Sequence, residues 1–549
     1  MEQSMSSSFA TSSTRSAALP PPTRLFGAER LNSKGLDLSD PSALQRLLEA
    51  LEGRAGECWE SAPLLDVHGA APPGPTHEVR SPANLTDIVG VARDASREEI
   101  RLAFDRSAEG YREWSHTPVQ VRAAALERAA DMLEMNPWPF YSLLVREAGK
   151  TLQDAIAEVR EAIDFCRYYP ARGRELLSEP AALPGPTGES NTLSLHGRGV
   201  FACISPWNFP LAIFAGQITA ALTAGAAVVA KPAPETPLIA HEFTRLLHEA
   251  GVPRHVLQLA PASGQEFAAA SFVHPALAGV AFTGSTATAK VINRALALRD
   301  GPIVPLIAET GGVNAMIVDS TALPEQVVDD VVTSAFGSAG QRCSALRVLY
   351  LQEEIADKVV ELLIGAMREL KIGHPGRPET DVGPVISQRA KQMLERHIER
   401  MQREARLLHA CSAGDATGHF VPPHLFELNA LDQLDVEAFG PLLHVARYRS
   451  DELPAVFAAI ARTGYGLTLG VHSRRRSFGD EVFRNTSAGN TYVNRNMIGA
   501  VVGVQPFGGS GLSGTGPKAG GPYYLLRFLT ERTLTINTAA IGANVELLS

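Results

Sequence analysis

Three side chains in this sequence could together make and break an acyl bond. Cys343 stands in Gly-Gln-Arg-Cys-Ser, Glu309 in Ala-Glu-Thr-Gly-Gly, and Asn208 in Ser-Pro-Trp-Asn-Phe-Pro. A lone cysteine is most often a small buried hydrophobe. Cys343 instead has Arg342 and Ser344 beside it and Gly340 close by, off any apolar stripe. Glu309 ends an apolar run, and Asn208 follows one. Open α/β sheets bind their ligands beyond the carboxyl ends of strands. A thiol nucleophile, a carboxylate base and an amide donor are a workable set for acyl chemistry. No HExxH and no GxxxxGK[ST] occurs, so zinc-dependent hydrolysis and P-loop phosphoryl transfer lack a basis. The five cysteines, Cys58, Cys166, Cys203, Cys343 and Cys411, form no CxxC, which fits a reducing compartment better than a disulfide framework.

Gly509-Ser510-Gly511-Leu512-Ser513-Gly514 matches GxGxxG. A dinucleotide loop needs a helix starting inside that motif. Here Thr515-Gly516-Pro517-Lys518-Ala519-Gly520-Gly521-Pro522 follows and cannot be helical. The stretch reads as a glycine-rich loop that brings backbone close to a ligand.

The elements that must position these residues can be read from pattern. With 549 residues, 45% hydrophobic and 20% charged, the chain is globular and long enough for two to four domains of about 100–200 residues. A net charge of −9 disfavours nucleic acid or an anionic membrane as partner. Residues 1–24, rich in Ser, Thr and Pro, read as a disordered tail or tag, with a transit peptide as the lesser alternative. Residues 25–180 read as mainly helical. Thr117-Pro118 reads as a helix start, with Val121, Ala125, Ala129, Met132 and Leu133 at helical spacing before the stop at Asn136-Pro137. Residues 181–198, with a short strand at 192–195, read as a projecting hairpin.

The uncharged stretch 199–230 has the length of a membrane span, but Pro206, Asn208, Pro210 and Gln217 interrupt it. It reads as a buried strand–helix–strand unit: 199–204, 211–223 and 226–230. Strands at 256–259, 280–283, 304–307 and 315–318 alternate with helices at 241–250, 287–297 and 324–335, which predicts a doubly wound parallel sheet. A second α/β domain starts near 309, with a strand at 348–351 and a helix at 355–370. Residues 532–537 alternate as a strand.

SPWNFP, VVAKP, VAFTGST, AETGG, GQRCSA, EAFGPLL and GVQPFGGSG follow one another between about 200 and 514. In that order they resemble the aldehyde dehydrogenase superfamily. LFGAERLNSKGLDLSD, DVVTSAFGSAGQRCSALRVL, AGNTYVNRNMIGAVVGVQPFGG and SGTGPKAGGPYYLLRF narrow the resemblance to the glutamate semialdehyde (pyrroline-5-carboxylate) dehydrogenases, over roughly 25–549. The likeness is greatest to the dehydrogenase module of proline utilization A. No segment resembles the proline dehydrogenase barrel of those bifunctional proteins, so a stand-alone or excised module is expected.

The resemblance implies an α/β aldehyde dehydrogenase fold with a Rossmann-like cofactor domain, an α/β catalytic domain and a small oligomerisation flap. The expected division is 25–180 and 199–308 for NAD binding, 309–508 for catalysis, 509–528 for a substrate anchor loop, and 181–198 with 529–549 for the flap. It implies Cys343 as nucleophile, Asn208 as oxyanion donor and Glu309 as base for thioester hydrolysis. NAD is implied as cofactor, held by Ser205, Trp207, Lys231, Gly284, Ser285, Glu437 and Phe439. For the substrate it implies Ser344 and the amides of Gly520 and Gly521 on the α-carboxylate, with Arg342 as positive charge. Glu147 is implied on the amino side, and Phe209 and Phe528 along the aliphatic chain. Two departures stand out. Pro234 occupies the position where the family has a ribose-binding glutamate, with Glu235 one residue later, which loosens the choice of NAD over NADP. Ala260-Pro261-Ala262-Ser263-Gly264 has less glycine than the subgroup.

The implied reaction is oxidation of L-glutamate γ-semialdehyde to L-glutamate in proline catabolism, by a cytoplasmic homodimer or higher homo-oligomer without nucleic acid, membrane span or metal. Two rivals stand beside it: a dehydrogenase for another carboxylated aldehyde such as succinate semialdehyde, and a catalytically silent member with a structural role.

Overall fold

The computed structural model describes residues 21–66, 72–412, 417–434 and 436–541. Residues 1–20 of the tail expected at 1–24, and the end of the flap at 542–549, lie outside the described residues, while the rest of that tail forms a short 3-10 turn at Pro22–Arg24.

Two parallel sheets carry the fold. The first has five strands in the order Leu306–Glu309, Leu277–Thr283, Val200–Ile204, Ala227–Lys231 and Leu257–Leu259, all parallel. Its central strands are apolar up to the terminal Lys231 because helices cover both faces. The stretch that mimics a membrane span is the centre of this sheet plus the buried helix Ala212–Thr223. Among the described residues no helix is long and apolar enough to cross a membrane.

The second sheet has seven strands: Arg406–Ala410, His424–Glu427, Leu442–Tyr448, Leu346–Gln352, Asn314–Val318, Thr468–His472 and Asn490–Val493. All its neighbours are parallel except the first pair, and separate apolar clusters pack on its two faces. A third, antiparallel sheet joins Leu529–Asn537, Glu189–Gly197 and Ala181–Leu183 into the flap. Its two outer strands are largely exposed and the central Glu189–Gly197 is half-buried.

Three expectations need correction. Residues 25–180 are mainly helical, as expected, but the expectation missed a small mixed sheet formed by Trp59–Ser61, Ile88–Arg93 and Thr76–Arg80. These strands are short and half-exposed, so they lack a strong apolar run. Thr117 does not cap the helix Val119–Met135, since its hydroxyl donates back to the Glu113 carbonyl and Pro118 takes the cap position. Val121 points outward from that helix. The sequence reading also passed over the helix Gly264–Ser271, which Ser263 caps.

The helix Leu152–Leu177 matters most for function. Asp154, Glu158, Glu161 and Phe165 recur at helical spacing on the side that faces the centre of the molecule.

Candidate active site

Glu309 is the last residue of its strand, and a glycine-rich loop folds over it. Gly514 bridges to Glu309, and the Thr310 amide donates to the Ser513 carbonyl at 2.9 Å. A Cβ at Gly508 would come within 2.8 Å of the carboxylate, and one at Gly514 within 3.0 Å. The GxGxxG match therefore ends on a residue that makes room for an acid, and no helix starts within it. Neither buried Glu309 oxygen has a hydrogen bond of good geometry, although the Gly509 amide lies near enough to favour the charged form. Burial pushes the carboxyl well above its usual range, with only the Gly509 amide and the Lys518 charge opposing.

Cys343 follows the helix Pro324–Phe336 through a strained turn. Ser338, Ala339 and Gly340 all have positive φ, at 57°, 53° and 64°. Positive φ is costly for Ser and Ala, and such strain collects at functional sites. Gly340 has a further reason, since a Cβ there would lie 2.1 Å from the Gly440 carbonyl. The Asn314 side chain holds the Cys343 carbonyl at 2.6 Å. Burial, then the nearby Glu437 and Glu309, pushes the thiol up to about 12.

Asn208 lies beside this turn. Its Nδ2 donates to the Gln341 carbonyl at 3.1 Å, and its own backbone carbonyl accepts from the Lys150 ammonium. Lys150 also reaches Ser338 Oγ at 3.2 Å and Glu158 at 3.6 Å. Glu158 in turn accepts from the Leu211 amide at 2.8 Å at the start of Ala212–Thr223. One buried cation thus ties the amide, the turn before the nucleophile and a helix start together. Asn208 itself does not line the cavity described next.

A cavity of about 400 Å³ opens between these elements. Cys343, Glu309, Phe209, Arg342, Ser344 and Gly520 line it, as does a group the sequence reading missed: Glu161, Gln217, Phe165, Phe507 and Tyr524. Glu161 makes no hydrogen bond to any described residue, and burial raises its carboxyl to about 8. Its spacing from Asp154 and Phe165 on one helical face was the available signal. Arg342 is paired with Asp154 rather than free.

Three substrate expectations do not fit this geometry. Glu147 is buried away from the cavity and accepts from the Leu238 and Ile239 amides at 2.7 and 3.0 Å, holding the start of the helix Pro237–Glu249. Phe528 is fully buried against Phe201 and Tyr524, at ring separations of 4.8 and 5.4 Å. The Gly520 amide donates to the Tyr169 hydroxyl at 2.9 Å and the Gly521 amide to the Lys518 carbonyl at 3.2 Å. Both glycine donors are engaged in holding their own loop.

A second group of residues gathers at the carboxyl end of the five-stranded sheet. Lys231 ends its strand, and burial draws its ammonium down to about 8. Among the described residues its Nζ bonds only the adjacent Pro232 carbonyl, at 2.8 Å. The Ser205 hydroxyl is buried without a partner. Ser285 caps the helix Thr286–Ala297, and the Gly284 amide donates to the Glu309 carbonyl at 3.1 Å. Pro234 is exposed, and Glu235 is the leading opposite charge acting on Lys231. Trp207 meets Phe439 edge-on at 5.6 Å. Glu437 accepts from the Gly312 amide at 3.2 Å, and a Cβ at Gly311 would lie 2.0 Å from its carboxylate. A buried cation with spare donors, a partnerless hydroxyl and a capped helix start suit a phosphorylated, ribose-bearing cofactor. No cluster of metal ligands occurs among the described residues.

Comparison with known proteins agrees with this geometry. The aldehyde dehydrogenase family profile matches residues 70–534. The bifunctional protein PutA of Escherichia coli K12 is 49% identical over 524 residues, 94% of this chain and 39% of its own length. The chain thus spans about two fifths of the first curated relatives it matches. The 1-pyrroline-5-carboxylate dehydrogenase of Geobacillus kaustophilus is 38% identical over 463 residues, 83% of this chain and 89% of that protein. A crystal structure of Bradyrhizobium japonicum proline utilization A superposes with a TM-score of 0.87 at 55% identity, covering 96% of this chain and 50% of that one. A Thermus thermophilus 1-pyrroline-5-carboxylate dehydrogenase structure gives 0.87 at 30% identity, covering 93% and 100%. With the fold, the nucleophile turn and the profile match in agreement, the chain belongs to the aldehyde dehydrogenase family.

Proposed function

We propose that this chain oxidises L-glutamate γ-semialdehyde to L-glutamate, with NAD as hydride acceptor. The observation that carries the reading is one cavity holding Cys343 and Glu309 together with Glu161, a carboxyl that makes no hydrogen bond to any described residue. The 1-pyrroline-5-carboxylate dehydrogenases among its relatives support the same substrate.

In this reading the Cys343 sulfur attacks the aldehyde carbon and forms a thiohemiacetal, its proton leaving to solvent or Glu309. The second hydrogen of the Asn208 amide and the Cys343 backbone amide receive the developing oxyanion. Ser205, Trp207, Lys231, Gly284, Ser285, Glu437 and Phe439 would hold a nicotinamide dinucleotide, which when bound would accept the hydride lost as the thiohemiacetal becomes a thioester. Glu309 then takes a proton from water, the hydroxyl adds to the thioester carbon, and the carbon–sulfur bond breaks to free Cys343. Pro234 gives NAD a narrower margin over NADP than a glutamate would.

Glu161 replaces Glu147 as the acid facing the substrate ammonium. Ser344 and the Arg342 charge serve the α-carboxylate, and Phe165, Phe209 and Phe507 flank the chain. The exposed outer strands of the flap are the surface we propose for homo-oligomer contact.

The test is NADH formation with three aldehydes: glutamate semialdehyde, succinate semialdehyde and a plain aliphatic aldehyde of similar length. Glutamate semialdehyde should have the highest kcat/KM by at least about tenfold, since one hydrogen bond to a charged group contributes about 1.5–3 kcal/mol. Equal values for all three would refute the substrate reading. Succinate semialdehyde in first place would move it to that rival.

A further inference from the structure

The cavity holds another buried polar side chain with an unfilled valence. Gln217 is 3% exposed and lines the same space as Glu309, which is 9% exposed. Its Nε2 donates to the Thr283 hydroxyl at 3.0 Å and the Ile204 carbonyl at 3.3 Å. A carbonyl can only accept, so the nitrogen must face Ile204 and the orientation of the amide is settled. Its Oε1 is then left buried with no partner.

The strand register says where that oxygen sits. Thr283 is the residue directly opposite Glu309 on the neighbouring parallel strand, and paired residues project from the same face. Gln217 is hydrogen-bonded to Thr283, so its amide stands across from the Glu309 carboxylate. Three acceptors without a hydrogen bond of good geometry therefore belong to residues that line this one cavity and are linked through Thr283: both Glu309 oxygens and Gln217 Oε1. An unmet buried acceptor costs about 1–3 kcal/mol, and an occupant that donates two hydrogens removes most of that cost.

We infer that Gln217 holds the hydrolytic water against Glu309, with Thr283 fixing the amide that does so. One water hydrogen lies on Glu309 and is the proton transferred. The other lies on Gln217 Oε1, which accepts a hydrogen bond and no proton. The water oxygen is thereby aimed at the thioester carbon, and Cys343 leaves as thiolate and is reprotonated through Glu309. The inference rests on the proposed acyl-enzyme reaction and adds a residue to its second half alone.

The experiment is rapid mixing of the NAD-loaded enzyme with glutamate semialdehyde, reading the NADH burst and the steady rate separately. Gln217→Met keeps the length of the side chain and removes its oxygen. The burst should keep its wild-type amplitude while the steady rate falls about 10- to 100-fold, and hydroxylamine, a stronger nucleophile, should restore much of the turnover. Thr283→Val should act in the same direction by a few-fold. An unchanged steady rate in Gln217→Met, or a fall without hydroxylamine rescue, overturns the inference. If that variant forms no burst, Thr283→Val decides: an intact burst with slowed, rescuable turnover supports the inference, and parallel loss of both overturns it. Absence of NADH formation by the wild type would instead refute the proposed reaction.

Discussion

The two ends of the cavity treat their polar groups in opposite ways. At the reaction end, Glu309 and Gln217 leave three buried oxygens without a hydrogen bond of good geometry. At the loop end, Gly520 and Gly521 have both amides engaged, one on Tyr169 and one on Lys518. Unmet buried groups cost free energy and persist where a ligand completes them, whereas satisfied ones hold the fold. The contrast moves the substrate anchor from the glycine amides to groups with free capacity, Glu161 and Ser344.

The largest effect expected is at the reaction end. Cys343→Ala should lower turnover by at least about a thousandfold, since no other step forms the acyl intermediate. Cofactor binding, measured by fluorescence titration, should stay within a few-fold. Even a tenth of wild-type turnover would remove Cys343 as nucleophile and dissolve the contrast.

Glu161→Gln tests the other end. It should lower kcat/KM for glutamate semialdehyde by about 10- to 100-fold, as loss of a charge-assisted hydrogen bond implies. A plain aliphatic aldehyde should be affected at most two- to threefold, on the order of a neutral contact. Glu147→Gln should leave the ratio of the two aldehydes unchanged. Equal sensitivity of that ratio to both substitutions would mean the cavity wall has been misjudged.

Glu147 has a different signature, in stability against pH. Burial raises its carboxyl from 4.5 to about 8. Between those values the folded protein keeps a proton that the unfolded chain has lost, so this group's contribution falls as pH rises through that window. Glu309 and Glu161 shift in the same direction. Glu147→Gln cannot ionise and should flatten part of the decline in urea midpoint between about pH 4.5 and 8. An unaltered slope would mean that Glu147 is ionised in the folded protein.

The smallest effect belongs to the loop. Tyr169→Phe removes the acceptor for the Gly520 amide. With that amide structural, kcat/KM should fall about two- to threefold, the value of one neutral hydrogen bond. A tighter KM would mean that the freed amide serves the substrate, restoring Gly520 as an anchor.

The alternation of apolar strands and helices from residue 199 onward was legible because both sheets are buried on both faces, which leaves continuous apolar runs. The small sheet at 59–93 was not, since its strands are short and half-exposed. Cys343 and Glu309 stood out because glycines and charges interrupt an apolar setting at sheet ends. Glu161 was overlooked in a helix rich in other acids, where only the direction it faces distinguishes it. The engagement of the Gly520 amide could not be read locally, because its acceptor lies 351 residues away in sequence. Glu147 was misassigned for the same reason: its partners, Leu238 and Ile239, belong to another helix.

The central claim is that one cavity separates acyl formation on Cys343 from hydrolysis directed by Glu309. The most direct measurement is mass spectrometry of Glu309→Gln protein quenched after a single turnover with NAD and glutamate semialdehyde. The account predicts stoichiometric NADH and a γ-glutamyl thioester on the peptide containing Cys343. NADH formed with Cys343 unmodified, the acyl group absent or on another residue, would contradict it.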